Sequence, residues 1–353
     1  MSHRPLTLIA LVAALVLVAD TWQAPLVARA AARVADPCAA HAGSPAVASE
    51  RADLPVLQAH AYRMAGKVRP LLFWISQKNV GSGVIVWRGG DGASAYELLI
   101  GTDPAIAPRG INRWGYIMES VRAGATHVFA LITTEAESKM SDVGGRAKPG
   151  QAAGGRFKAI DARVDAGAVC AATGTFDTER DLALKDVSGL VRDMRGRLTS
   201  VTPYDGVLAA GTRAGFLTAV AELMRDTMAA QRSGGGALAR LRGRTIPYVH
   251  GPFLLDMALV GVEPAERAGL PGGAAVQAPV HASFEARSRD TGERYRFELD
   301  YATAGPLAGV PLVIRYQPRW WLQVELTLEA DSTRVASLQR SGALSAAWEN
   351  ATR

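Results

Sequence analysis

The sequence predicts an α+β fold, mostly antiparallel β, in which a curved sheet or sheets carry about three helices on one face. Three observations point there. Apolar and polar residues alternate in several short runs bounded by turn residues. Three other stretches carry apolar residues at helical spacing. The order is strands, one helix, strands, two helices, strands, and not the regular alternation of a parallel α/β chain.

The N-terminus reads as an export signal. Residues 1–4 (MSHR) are positively charged, residues 6–19 are uninterruptedly apolar, and Ala28 and Ala30 are the small residues a signal peptidase reads. A signal peptide over 1–30 follows, with cleavage after Ala30 and a periplasmic or secreted product. The apolar run ends at Asp20, short of a comfortable membrane span. No later segment is apolar enough to cross a bilayer as a helix. Residues 31–53, rich in Ala, Gly, Ser and Pro, form a linker. Only Cys38 and Cys170 are present, so a single intramolecular disulfide is possible, and export favours it. Closing so long a loop stabilises by about 4–5 kcal/mol on the chain-entropy model.

Residues 54–330 make the main domain, with a possible subdivision near 178 or within the Gly/Pro/Ala connector 263–278. Strands begin at 56–64 and in the apolar run 70–76. A turn at 79–83 leads to residues 84–87, and a Gly/Asp turn at 88–93 returns the chain through 96–100 as a hairpin. Residues 101–110, with two prolines and two glycines, form a loop. Trp114, Ile117, Met118 and Val121 then have the spacing of a helix over 112–122. A strand at 127–133 is followed by a polar, Gly-rich insert at 135–155.

A hairpin over 157–170 turns at Asp165-Ala166-Gly167. Thr178 is placed to cap a helix, with Glu179 and Asp181 in its first turn and Leu184, Val187, Val191 and Met194 as its buried stripe. A further helix spans 215–231, apolar on two adjoining sides. Residues 245–249 and 253–260 flank His250-Gly251-Pro252 as another hairpin.

A four-stranded meander closes the domain, and a polar tail occupies 331–353. Val280, Ala282, Phe284 and Ala286 share one face of the first strand; Tyr295, Phe297, Leu299 and Tyr301 share one face of the second. A four-residue loop, Arg289-Asp290-Thr291-Gly292, sets Phe284 opposite Phe297, Glu285 opposite Arg296 and His281 opposite Asp300. A three-residue loop would mix the faces. Residues 310–317 and 320–329 alternate as the last two strands.

The composition is that of an ordinary globular protein. The net charge of +6 comes with scattered Arg and no basic run interleaved with aromatics, which argues against a nucleic-acid partner. The nucleophile-elbow, zinc-protease, phosphate-loop and dinucleotide signatures are all absent. The histidines after residue 30 stand singly, so neither a metal nor a cofactor is expected.

Three groups of candidate residues remain. His281 with Asp300, flanked by Glu285 and Arg296, is an acid–base candidate, since a cross-strand carboxylate fixes an imidazole tautomer; the bland reading is a solvated face of ion pairs. Arg109, Asn112, Arg113 and Trp114, with Asp103, form a candidate binding edge on a Pro/Gly loop. Trp74, Tyr316, Trp320 and Trp321 are placed to line a cavity if the sheet curls. These features favour an exported envelope protein acting as a non-catalytic binding module for an apolar small molecule or an envelope protein partner. The alternatives are a structural envelope component and a hydrolase using His281 and Asp300.

Overall fold

The computed structural model describes residues 54–69, 74–103, 106, 114–133, 156–165, 168–177, 201–203, 215–234, 236–251, 253–266 and 270–330. The expected signal peptide, linker, 135–155 insert, 178–194 helix and C-terminal tail lie outside them, as does Cys38.

The strands are β1 (Val56–Val68), β2 (Ile75–Gly90), β3 (Ala93–Thr102), β4 (Trp114–Arg122), β5 (Ala125–Thr133), β6 (Arg156–Asp165), β7 (Ala168–Asp177) and β8 (Val201–Pro203). Helices α1 (Phe216–Ser233) and α2 (Ala237–Arg240) follow. The chain then continues through β9 (Thr245–His250), β10 (Phe253–Pro264), β11 (Gln277–Ser288), β12 (Arg294–Ala304), β13 (Pro311–Arg319) and β14 (Leu322–Leu328).

All of these strands join one antiparallel sheet of fourteen, in the order β8-β7-β6-β5-β4-β3-β2-β1-β14-β13-β12-β11-β10-β9. It consists of two meanders stitched together where β1 pairs with β14, Tyr62 opposite Leu328 and Val68 opposite Leu322. The helices fall between the meanders in sequence, and α1 lies on the face of the sheet that both turn inward. The architecture is thus mostly antiparallel sheet, with two helices among the described residues where the sequence suggested about three.

Faces follow from the pleat. Phe284 and Phe297 are paired and stacked, with ring centroids 5.0 Å apart, on the inner face. Gly292 has φ 73° in the four-residue loop, which closes with Ser288 N–H donating to the Glu293 carbonyl at 2.9 Å. Phe216 of α1 packs between Tyr248 of β9 and Phe297 of β12, at 6.0 and 5.7 Å between centroids. The main core thus belongs to α1 and β9–β14, with Tyr62 and Met64 of β1 joining it. Tyr62, fully buried, donates its hydroxyl to the Pro311 carbonyl at 2.9 Å and ties β1 to the start of β13.

The sheet curls far enough to overlap itself. Tyr248 and Leu255 face α1, so Val249 and Leu254 face the other way. Yet Val249 and Leu254 cluster with Val128, Ala162 and Ala171, which lie on the inner face of β5–β7. The outer side of one end therefore rests on the inner side of the other. A β-carbon on Gly251 would stand 3.1 Å from Ile160 at that contact.

Two local expectations are corrected. The helix expected over 112–122 is not found: its described part, Trp114–Arg122, is β4, paired with β3 and β5 along its length. Seven of its residues in a row are buried, so the alternation that marks a half-exposed strand is missing. The turn expected at 79–83 is a bulge within β2. Asn79 takes φ 57°, and the register against β1 shifts between Met64–Gly81 and Gly66–Gln77. No helix among the described residues is long and apolar enough to cross a membrane.

Candidate functional site: an apolar cleft under one helix

The fold leaves α1 unequally supported. One flank packs closely on β9, β10 and β12. The other faces β1–β3 across a gap, a cleft of about 160 Å³. From α1 it is lined by Leu217, Val220, Ala221, Met224 and Met228. From the sheet come Ile85, Leu98, Leu299 and Ile314, and the β12–β13 loop contributes Ala308 to Val310. An apolar concavity with few polar groups is the usual form of a small-molecule site.

Its sheet wall is ordered in rows. Gln58 of β1 stands opposite Trp87 of β2, and Trp87 opposite Tyr96 of β3. One pleat further in, His60, Ile85 and Leu98 form the next row. Trp87 and Tyr96 stack, 6.0 Å between centroids and 10° between planes. Arg225 of α1 completes the polar rim. Burial lowers the His60 pKa below its ordinary 6.5 and raises that of Tyr96, where Arg225 works in the opposite direction.

The Tyr96 row continues to Glu119 of β4, which is fully buried. Its carboxylate accepts from the backbone N–H groups of Leu217 (2.8 Å) and Thr218 (2.7 Å) and from the Thr218 hydroxyl (2.9 Å). The helix has no cap from its own sequence, because Gly215 at that place has no side chain to offer. Glu119 supplies the missing acceptor from the facing sheet, where a negative group also suits the helix dipole. Desolvation pushes its pKa up to about 7, against the opposing pull of those hydrogen bonds.

The residues singled out from sequence are distributed differently. His281 and Asp300 are in contact, Nδ1 to Oδ1 2.7 Å, on the outer face. Asp300 also holds Arg315 at 2.7 Å; Arg315 reaches Glu325 at 3.5 Å, and Glu325 holds Lys67 at 2.7 Å. The pair is one end of a charge ladder that runs over β11, β12, β13, β14 and β1. Glu285 binds Arg296 at 2.8 Å and Arg294 at 3.5 Å on the same face.

The aromatics expected to line a cavity do not line this one. Trp321 is buried in the main core, and Trp74 is 38 % and Trp320 65 % exposed. Trp320 and Tyr316 border a separate, polar depression of about 330 Å³ with Arg296, Glu298, Arg315 and Gln323. Trp114 is fully buried on β4, while Arg109, Asn112 and Arg113 lie outside the described residues. Cys170 is buried on β7; its expected partner, Cys38, lies outside them too.

Trp87, Tyr96, His60, Arg225 and Glu119 were not singled out from sequence. The hairpin that sets Trp87 opposite Tyr96 was visible there, and a lone Glu inside an apolar run is a signal in its own right. Among the described residues no group of three or more His, Cys, Asp or Glu side chains is arranged to hold a metal ion.

No protein-family description matches the chain, and a search of curated proteins finds no match. Among solved structures, it is similar to a crystal structure titled as a beta-barrel-like protein of domain of unknown function DUF1849 from Brucella abortus. The identity is 8 % and the TM-score 0.35, over 78 % of this chain and 97 % of the other.

Proposed function

We propose that this is an exported envelope protein, periplasmic or secreted, that acts as a non-catalytic binding module for an apolar ligand. The observation that carries this reading is the cleft of about 160 Å³ between α1 and β1–β3, lined mostly by apolar side chains. Export rests on the basic, apolar and small-residue pattern of residues 1–30. The oxidising compartment favours a Cys38–Cys170 disulfide, consistent with no free cysteine among the described residues.

The test is a titration of the purified protein with the apolar fluorophore N-phenyl-1-naphthylamine. Saturable binding is expected, weakened at least tenfold by Ala221→Phe, which fills the cleft from the helix side. Failure of the dye to bind, or equal binding by the variant, contradicts the reading.

A hydrolase is the second reading, and the 2.7 Å contact between His281 and Asp300 favours it. Its weakness is chemical. Among the described residues, the side chains ion-paired along the ladder from that pair, Arg315, Glu325 and Lys67, include no hydroxyl or thiol to serve as nucleophile. Retention of any esterase activity by Asp300→Asn would remove it.

A further inference from the structure

We infer that one end of the sheet docks on a lipid bilayer surface carrying anionic head groups, through Trp74, Ile75, Ile106 and Trp320. This is independent of what the cleft binds.

Among the described residues five large apolar side chains are exposed, these four and Leu57. Leu57 stands at the start of β1, and the four gather at its other end. Val68, the last residue of β1, pairs with Ile75 of β2 on one side and with Leu322 of β14 on the other. Ile75 and Leu322 are thus two strand spacings apart, about 10 Å. Trp74 and Trp320 lie one and two residues before them in the chain, beyond the strand starts.

Hydrogen bonds fasten three strand connections together there. Arg69 N–H donates to the Trp321 carbonyl at 2.8 Å, which joins the end of β1 to the β13–β14 turn. Gln77 Nε2 donates to the Ile106 carbonyl at 3.4 Å and brings in the connection after β3. Gln317 Nε2 donates to the Trp320 carbonyl at 3.2 Å and braces the turn. Connections between antiparallel strands are ordinarily built of Gly, Asn, Asp and Ser. Here Trp74 and Ile75 close the apolar sequence run of 70–75.

The neighbouring groups favour a bilayer over a protein partner. The four apolar side chains are separated by polar ones, Gln77 and the exposed Lys78 among them, whereas the core of a protein interface is depleted of charge. Trp320 also borders the polar depression beside Glu298 and Gln323, so its ring is apolar and its surroundings wet. That is the setting of Trp at the head-group level of a membrane. Residues 66–69, 74–79, 103, 106 and 317–322 carry Lys67, Arg69, Lys78 and Arg319 against the one acid Asp103. Lys67 also reaches Glu325, at 2.7 Å. Such a surplus of cations is attracted to anionic lipid. The charge ladder from His281 to Lys67 covers the outer face of β11–β14 and β1, so these strands lack the apolar outer band of a membrane-spanning barrel. The contact is therefore made end-on.

The test is flotation of the purified full chain with vesicles of phosphatidylcholine alone or mixed with phosphatidylglycerol. The wild type is compared with Leu57→Ser and with the double variant Trp74→Ser, Trp320→Ser, all with the same N-terminus. The wild type should bind the mixed vesicles severalfold more tightly than phosphatidylcholine alone, and added salt should narrow that difference. The double variant should bind the mixed vesicles about tenfold more weakly or worse, and Leu57→Ser as the wild type does. Both should keep the wild-type unfolding midpoint, because the replaced side chains are exposed. Failure of the wild type to float, or equal binding by the double variant, overturns the inference. A loss in Leu57→Ser as large as in the double variant overturns the assignment to this end of the sheet. Equal affinity for the two kinds of vesicle overturns the anionic preference. A wild-type dimer that the double variant abolishes gives this surface to a second copy of the chain and overturns the bilayer.

Discussion

The carboxylate of Glu119 fills the space where a β-carbon on Gly215 would stand. The two residues are far apart in sequence and belong to different elements, so the absence of a side chain at one is the condition for the other to reach the helix. Through this contact the helix that roofs the apolar cleft is fastened to β4, the neighbour of the strand that carries Tyr96.

Gly215→Ala should therefore destabilise the protein by about 1–3 kcal/mol, the usual cost of forcing a group into an occupied space. Glu119→Ala should be destabilising as well, because it leaves the first amides of α1 without their acceptor. Urea unfolding of the two variants against the wild type measures both.

Stability should also depend on pH through Glu119. Its folded-state pKa of about 7 lies above the ordinary 4.5, so the folded protein holds this proton more tightly than the unfolded chain. The associated stabilisation is complete below about pH 4.5 and is lost as pH rises through about 7. The slope between those values approaches at most ~1.4 kcal/mol per pH unit. Glu119→Gln removes the titration, so the wild type should lose stability relative to that variant between pH 5 and 7.5. A constant difference over that range contradicts the assignment.

Much of the sheet was legible beforehand, for a local reason. Register in a hairpin is set by the loop and by the need to keep one face apolar. Both constraints were readable around Arg289 to Gly292, and the structure pairs Phe284 with Phe297 and His281 with Asp300 accordingly. β4 was not legible. With Trp114, Tyr116 and Met118 buried on one side and Ile117 and Glu119 on the other, no period of two survives, and the remaining spacing imitates a helix. The cleft was hidden for a different reason. It is made by which flank of α1 the curled sheet supports, and no local pattern records that.

The outer charge ladder should behave as a stabilising network. Asp300 is nearly buried and accepts from both His281 and Arg315. Asp300→Ala should cost about 3–5 kcal/mol, because it leaves those donors without their shared carboxylate. His281→Ala, at the more exposed end of the ladder, should cost about 1 kcal/mol or less. Thermal unfolding of the two variants separates the sizes.

Tyr62 gives a sharper test of how the meanders are joined. Tyr62→Phe keeps the ring and removes only the donor to the Pro311 carbonyl. A loss of about 0.5–1.5 kcal/mol is expected. Because Pro311 also lines the cleft, dye affinity should fall modestly with it.

The most direct measurement is photolabelling with a short apolar probe that carries a diazirine on its chain, followed by mapping of the labelled peptides. The account predicts label on α1 and on the inner face of the sheet, at Val220, Ala221, Met224, Ile85 and Leu98, with competition by excess N-phenyl-1-naphthylamine. Label spread over the outer face, or concentrated around Trp320, would contradict it.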